Sequence, residues 1–237
     1  MDHNPVILAL TLAFASLLPL LIASGSCFIK FSVVFSLLRN AIGLQQVPSN
    51  LVLQGLALMM TVFVMMPVFS QARQYYLEHH VSLDDPVAME GFADEGLASY
   101  RAYLARHAEP ELVTFFTKLR TAQAKTGVPG SVPAPPATPG AAAEASPPVN
   151  AEQASILCLL PAYALSELKS AFRIGFYIYL PFLVIDMLVS NILLALGMMM
   201  MSPVTIALPI KLILFVAMDG WEKVVKGLIL QYVELAS

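Results

Sequence analysis

The stretch of sequence that decides the fold is GMMMMSP, residues 197–203. It joins a strongly apolar segment that ends at Leu196 to a second apolar segment that begins at Val204. Glycine before the methionines and proline after them favour a turn over a continuous helix. The pattern therefore predicts two membrane-type helices that are connected by a methionine-rich turn.

Two interpretations of this turn follow from its residues. Methionine is unbranched, flexible and polarizable, so a cluster of methionines fills gaps whose shape changes. Such a cluster between two helices would act as a soft plug that closes a hole and still lets something pass. The other interpretation is an apolar interhelical loop with no role of its own. The position of the turn by itself favours this second interpretation.

The composition of the chain places it in the membrane class. Its 237 residues are 58% hydrophobic and 12% charged, with a mean hydropathy of +0.74, whereas soluble domains carry about 25% charged residues. The net charge of −3 argues against nucleic acid as a partner, because nucleic-acid binding needs a basic patch.

The sequence offers few residues for chemistry. Cys27 and Cys158 lie far apart and lack the spacing of metal ligands, so we expect two small buried side chains. The chain shows no nucleophile–base pair, acid–base dyad or phosphate-binding loop. We therefore expect no metal, no cofactor and no enzyme activity.

Four apolar segments predict the membrane-type helices, and a single span needs about 20 residues. They are residues 5–38, 51–69, 174–201 and 204–218, with a weaker apolar piece at 156–165. The first segment is long for one span, and we expect it to bend near Gly25. Because no basic region precedes it, we interpret it as a retained helix and not as a cleaved signal peptide. Residues 221–235 carry apolar side chains at helical spacing, which predicts an amphipathic helix.

The polar region between the second and third segments has two parts. Residues 97–104 and 112–119 repeat apolar side chains at helical spacing on either side of Pro110, which predicts a small helical hairpin. Residues 126–150 contain seven prolines amid alanine, glycine and serine. That composition cannot bury a core, so we predict a disordered linker.

The predicted domain organisation combines these segments. Arg39 has no acidic neighbour and marks the loop after the first segment as cytoplasmic, which places the polar hairpin on the periplasmic side. The predicted domains are the N-terminal hydrophobic helices at 1–69, the polar hairpin at 70–125, the linker at 126–150 and the C-terminal hydrophobic helices with the methionine turn at 151–237.

Charged residues inside the apolar segments need partners. Lys30, Asp186 and Lys211 lie within or beside these segments, and a lipid-facing charge costs about 2.5 kcal/mol or more at the bilayer centre. Asp186 lies 12 residues before Met198, and Lys211 lies 10 residues after Met201. At about 1.5 Å per helical residue, the two charges reach a similar depth and can pair, within one chain or between subunits. A structural ion pair is the favoured role, and an ion or small-solute transporter that uses both residues is the alternative.

Prolines interrupt every apolar segment. They are Pro19, Pro67, Pro181 and Pro209, and with Gly25 and Gly55 they predict bent, interrupted helices. Unpaired backbone groups at such breaks are tolerated only where protein or a water-filled cavity receives them. The pattern therefore indicates a protein that is buried among partners.

Three blocks of the sequence resemble a known family. They are residues 161–176, PAYALSELKSAFRIGF; residues 181–198, PFLVIDMLVSNILLALGM; and residues 208–221, LPIKLILFVAMDGW. All three are similar to the R-type export-gate subunit of bacterial type III secretion, the counterpart of the P-type flagellar biosynthetic protein. Residues 31–67 match in character, so the resemblance covers nearly the whole chain except 126–150. The chain resembles the virulence branch more than the flagellar one.

The resemblance implies a fold and an assembly. The fold is all-α, with Pro/Gly-kinked hydrophobic helical hairpins and an extra-membrane helical insertion. Five copies of the chain would join four copies of a small two-helix subunit and one subunit of a third type in a helical, cone-like oligomer. This inner-membrane complex would protrude on the periplasmic side, contact membrane lipid, and work with the export switch subunit and the large export-gate subunit.

The resemblance also implies a function and site residues. Unfolded secreted proteins would pass through a central channel, and the methionine turn would point into that channel as a gasket. The resemblance therefore favours the soft plug over an interhelical loop with no role of its own. The gasket residues are Met198, Met199, Met200 and Met201. Glu167, Asp186 and Lys211 resemble the polar contacts between subunits of this family.

Overall fold

The computed structural model describes residues 16, 23–44, 47–79, 91–126, 154–198 and 200–234. Within these residues the regular structure is helical and contains no strand, which confirms the all-α prediction. The helices are α1 (Phe28–Ile42), α2 (Asn50–Glu78), α3 (Ala98–His107), α4 (Pro110–Thr126), α5 (Ile156–Ala195), α6 (Pro203–Ala217) and α7 (Gly220–Glu234), and a π-helical turn (Phe92–Gly96) precedes α3. Half of the first predicted apolar segment, including Pro19, and the linker prolines lie outside the described residues.

Among the described residues, two helices are long and apolar enough to cross a membrane. They are α2, with 29 residues, and α5, with 40 residues. The last two helices form a pair with a bend of 58°, and this pair adds a third span if it is counted as one. In lipid a helix pairs its backbone N–H and C=O groups within its own segment. The helical structure of these segments is therefore the one that their apolar composition requires.

The prolines do not interrupt these helices, which differs from the sequence prediction. Pro67 lies inside α2 and Pro209 inside α6, and α5 continues through Pro181. The weak apolar piece at 156–165 and the third apolar segment therefore form one helix. A proline removes one backbone hydrogen bond, but a break in apolar surroundings exposes several unpaired groups. The continuous helix is consequently the better solution.

The breaks lie at other residues. The chain leaves the helical conformation at 25–27, where the bend near Gly25 was predicted. The second break separates α6 from α7 at Met218 and Asp219, and Asp219 has a φ of 51°.

The chain divides into two compact units. The first comprises Met1–Gly25 and Met66–Glu167, and the second comprises Ser26–Met65 and Leu168–Ser237. One boundary between the units lies between Gly25 and Ser26, and the other two fall inside α2 and inside α5.

The core of the first unit is built by α3, α4 and the beginning of α5. Leu104, Val113, Leu159 and Tyr163 are buried there, and the Tyr163 and Tyr103 hydroxyls lie 2.7 Å apart. The two helices predicted around Pro110 are confirmed. Within the second run, residues 112–119, Phe115 is 54% exposed, whereas Val113 is buried in the core.

One tyrosine anchors α3 to the chain preceding α1. The Tyr100 hydroxyl donates a hydrogen bond of 2.9 Å to the Gly25 carbonyl. Burial raises the pKa of Tyr100 to about 12, because the phenolate form loses its hydration inside the protein. The hydroxyl therefore keeps its proton, and its role as donor, at neutral pH.

The core of the second unit joins α1, α5 and α6. Leu38 and Ile42 pack with Phe182 and Phe215, and Trp221 covers this cluster. In α7, Leu228 and Tyr232 are buried, which confirms the amphipathic helix. The Lys30 ammonium lies 4.5 Å from the centre of the Tyr232 ring, so this charge is held against an aromatic face.

We predict that two glycines of the second unit respond oppositely to alanine. A Cβ at Gly175 would lie 3.2 Å from Cβ and Cγ of Leu37, whereas a Cβ at Gly55 would meet nothing within 4 Å. Gly175→Ala should lower the free energy of unfolding by roughly 1–3 kcal/mol through overpacking. Gly55→Ala should raise it by about 0.5–1 kcal/mol, because alanine is the better helix former. Equal effects of the two substitutions on unfolding in detergent would contradict the close α1–α5 packing.

Candidate functional site: the methionine turn and its ion pair

The end of α5 is fixed by a glycine in the left-handed conformation. Gly197 has a φ of 75°. The Met198 amide donates to the Leu193 carbonyl at 2.9 Å, and the Gly197 amide donates to the Leu194 carbonyl at 3.0 Å. These two bonds form a Schellman motif, which satisfies the carbonyls that a helix end leaves unpaired. The predicted turn is therefore confirmed.

The start of α6 is fixed by proline and serine. Pro203 occupies the first helical position, where its missing amide is no loss. Ser202 precedes it, and its carbonyl accepts bonds from the Thr205 amide at 3.3 Å and the Thr205 hydroxyl at 2.8 Å. Because the Gly197 cap ends α5 and Pro203 begins α6, the turn is a short loop with defined ends.

The described methionines of this turn are exposed. Met200 is fully exposed, and Met198 and Met201 are 39% and 45% exposed, while Met199 lies outside the described residues. Exposed apolar side chains in a cluster indicate a surface that something else covers.

A cleft of about 160 Å³ lies beside the turn. The residues that line it are Ser190, Leu193, Leu194, Met198, Met201 and Pro203. The lining combines apolar side chains with polar groups, and Met200 does not contribute to it. This cleft could not be predicted from the sequence, because it depends on how the α5 end and the turn face each other.

The predicted charge pair forms within one chain. Lys211 Nζ lies 2.7 Å from Asp186 Oδ2 and donates a second hydrogen bond of 3.3 Å to the Ala41 carbonyl. The Lys211 side chain is only 9% exposed, whereas that of Asp186 is 42% exposed. The ammonium therefore ties α5, α6 and the end of α1 together. The sequence indicated the Asp186 carboxylate as a partner of Lys211. It could not indicate the second acceptor, because the Ala41 carbonyl belongs to the backbone.

The remaining predicted site residue is buried. Glu167 is 2% exposed in α5. Nothing in a single chain tests whether Glu167, Asp186 or Lys211 contacts a neighbouring subunit, so that role stays a prediction. Among the described parts of the chain, no group of three or more His, Cys, Asp or Glu side chains is arranged to hold a metal ion. Cys27 and Cys158 are both buried, as predicted.

Arg39 has a structural role that the sequence analysis missed. Its Nη1 donates to Asn50 Oδ1 at 2.6 Å and to the Pro48 carbonyl at 3.4 Å. The side chain thus holds the loop between α1 and α2. A basic residue near a helix end followed by asparagine at the next helix start is the signal that could have indicated this bond.

The sequence profile of the FliP family matches residues 11–228, almost the whole chain. The chain belongs to the FliP family. The surface presentation of antigens protein SpaP of Salmonella typhimurium is 50% identical over 239 residues, which cover 99% of each chain. The Yop proteins translocation protein R of Yersinia pestis is 44% identical over 225 residues, 95% of each chain. The harpin secretion protein HrcR of Erwinia amylovora is 38% identical over 231 residues, 98% of each chain.

These similarities confirm the resemblance inferred from the sequence. This FliP-family chain is an R-type subunit of the type III secretion export apparatus, and its two or three span-length helices are those of an inner-membrane protein.

We predict that Gly197 is required for its backbone conformation alone. A Cβ at Gly197 would meet nothing within 4 Å, but its φ of +75° is unfavourable for other residues. Gly197→Ala should therefore lower the free energy of unfolding by about 1–2 kcal/mol, and Gly197→Asn should lower it less, since asparagine tolerates this region. Gly227→Ala is the control, because Gly227 also has open space but lies inside α7. If Gly197→Ala were as stable as the control in detergent unfolding, the strained cap would be refuted.

A double-mutant cycle should show that Lys211 depends on Asp186. Asp186→Leu leaves the buried Lys211 ammonium with one acceptor, the Ala41 carbonyl. We therefore expect the free energy of unfolding to fall by roughly 1–3 kcal/mol. This loss is smaller than that for a fully buried ion pair, because Asp186 is partly exposed. The double variant Asp186→Leu/Lys211→Met should recover most of that loss. The exposed Glu222–Lys226 pair of α7 provides a control that should show little coupling. Additive effects at Asp186 and Lys211 would contradict the assignment.

Proposed function

We propose that this FliP-family subunit forms the wall of a protein-export pore and that its methionine turn is the gasket of that pore. The observation that carries the proposal is the fully exposed Met200 on a loop between the Gly197 cap of α5 and Pro203, the first residue of α6. The two helix ends define where the loop lies, whereas methionine side chains are flexible.

The chemistry of methionine explains how one loop can close and conduct. In the closed state, thioether side chains from several copies fill the constriction and exclude ions and small solutes. During transport the same side chains pack around a passing chain of any sequence, because methionine adapts to irregular apolar shapes. The energy for transport would come from elsewhere, from the cytoplasmic ATPase and the proton motive force that the family resemblance implies.

The proposed assembly contains five copies of this chain, four of the small two-helix subunit and one of a third type, in a cone that protrudes on the periplasmic side. The export switch subunit and the large export-gate subunit bind this cone, and unfolded secreted proteins pass through it. The exposed apolar side chains of α2, among them Met59 at 68% and Phe63 at 64%, support the proposal because a single chain leaves them uncovered. Neighbouring subunits and lipid would cover them.

The alternative function, an ion or small-solute transporter, would use Asp186 and Lys211. The second hydrogen bond of Lys211 to Ala41 favours a structural pair, since an exchange site needs a group that can release its partner. The two functions differ in the effect of Asp186→Asn. It should weaken assembly with neighbouring subunits if the pair is structural, and should abolish flux in an intact oligomer if the chain is a transporter.

Removing the methionines should make the pore leak. We expect that replacing residues 198–201 by four serines lets small solutes and ions cross the inner membrane, because serine cannot form an apolar seal. Solute influx into cells that express the whole apparatus is the measurement, and the native mass of the complex confirms assembly. Met218→Ser is the control, since Met218 is exposed to the same extent as Met198 but lies between α6 and α7. Unchanged permeability in an assembled tetra-serine variant would refute the gasket.

A further inference from the structure

One charged side chain of α5 lies exposed without a partner. The helix carries four charged residues, Glu167, Lys169, Arg173 and Asp186. Glu167 is buried, and Asp186 pairs with Lys211. Arg173 is exposed, and among the described residues its guanidinium has no hydrogen bond or ion pair. Because charged side chains of apolar membrane segments are normally paired, the partner of this arginine comes from outside the chain.

The exposed surface next to Arg173 is apolar. Phe176 and Tyr177 are 62% and 63% exposed, and Leu180 and Val184 continue the exposed surface toward the end of α5. Residues three and four positions apart lie side by side on a helix, so these side chains follow Arg173 in one strip. The surface therefore fits an occupant that has an anionic end and an apolar body.

The length of α5 places Arg173 at the edge of a membrane span. Its 40 residues extend over about 60 Å, about twice the hydrocarbon thickness of a bilayer, and Tyr163 near its start packs in the core of the first unit. Residues 174–195 contain one charge, Asp186, and extend over about 33 Å, close to the hydrocarbon thickness of about 30 Å. Arg173 directly precedes this part, and Tyr177 lies in its first turn, as is typical of tyrosine at the membrane interface.

We propose that Arg173 binds the headgroup phosphate of an anionic phospholipid whose acyl chains lie along Phe176, Tyr177 and Leu180. A guanidinium donates two parallel hydrogen bonds to a phosphate group, and the stem of an interfacial arginine lies along apolar surface while its head reaches the headgroups. The inference goes beyond the lipid contact of the proposed function and does not need the gasket.

The charges around Arg173 select the class of lipid. Lys169 is exposed one helical turn earlier, and residues 168–185 contain no acidic side chain. Basic residues near a membrane surface are attracted to lipids with a net negative charge. A zwitterionic headgroup adds a cation beside two basic side chains, so phosphatidylglycerol should bind more tightly than phosphatidylcholine.

Native mass spectrometry of the full-length chain, purified in mild detergent, tests the proposal by counting bound lipids. Phosphatidylglycerol and phosphatidylcholine with identical acyl chains are titrated separately. Arg173→Gln removes the charge, and Arg173→Lys keeps the charge without the planar fork. Lys118→Gln is the matched control, because Lys118 is exposed on the polar helix α4. The unfolding midpoint in detergent checks that each variant is folded, which we expect since Arg173 has no described partner to lose.

We expect the wild-type chain to bind phosphatidylglycerol several-fold more tightly than phosphatidylcholine. Arg173→Gln should abolish this preference, Arg173→Lys should keep part of it, and Lys118→Gln should keep all of it. A preference that survives in folded Arg173→Gln would overturn the proposal. Glycerol phosphate at the lipid concentration should not compete, since it lacks acyl chains, and equal competition would show a site for free anions and overturn the lipid assignment.

The native mass of the complex with the partner subunits tests the other source of an anion, an acidic side chain of a neighbouring subunit. We expect Arg173→Gln to leave this mass unchanged. A broken complex with unchanged phosphatidylglycerol binding would assign Arg173 to a protein contact and overturn the proposal. If the tetra-serine variant leaks but the lipid preference is absent, the lipid site fails while the gasket stands. If the lipid preference depends on Arg173 but an assembled tetra-serine variant does not leak, the gasket fails while the lipid site stands.

Discussion

The buried ammonium of Lys211 is the constraint on which the second unit depends. A cation that is 9% exposed needs acceptors at short range, because the loss of its hydration is otherwise uncompensated. Asp186 of α5 and the Ala41 carbonyl of α1 supply them. The three helices are therefore held together at one point, and α5 and α6 are fixed relative to each other on both sides of the methionine turn. This contact therefore also fixes the position of the loop that we propose as the gasket.

The backbone imposes a second constraint, which decides where the chain bends. Pro67 and Pro209 stay inside continuous helices, while the breaks occur at residues 25–27 and at Met218 and Asp219. A helix break leaves backbone N–H and C=O groups without partners. Water or a capping motif can pair with these groups, as the Schellman motif at Gly197 does for the last carbonyls of α5. A helix through a proline gives up one hydrogen bond, which is less than a break in apolar surroundings would give up. The chain therefore combines long continuous helices with a few capped turns.

Much of this organisation could be predicted from the sequence, for physical reasons that apply residue by residue. Glycine before and proline after the methionines specify a turn, and the similar spacing of Asp186 and Lys211 from that turn, 12 and 10 residues, specifies their similar depth. Features that depend on tertiary packing could not be predicted. The Ala41 carbonyl has no side-chain signal, the cleft beside Ser190 exists only once the turn folds back on α5, and helical spacing alone did not distinguish Val113 from Phe115 as the core residue.

The central claim is that secreted chains pass the exposed methionine of the turn, and site-specific crosslinking of a stalled substrate tests it most directly. A photo-crosslinker at position 200 is compared with one at Leu230, which is exposed on α7, in complexes that hold a secreted protein arrested in transit. The account predicts adducts to the substrate at position 200, none at position 230, and none at either without the arrested protein. A complex that holds arrested substrate but gives no adduct at position 200 would contradict it.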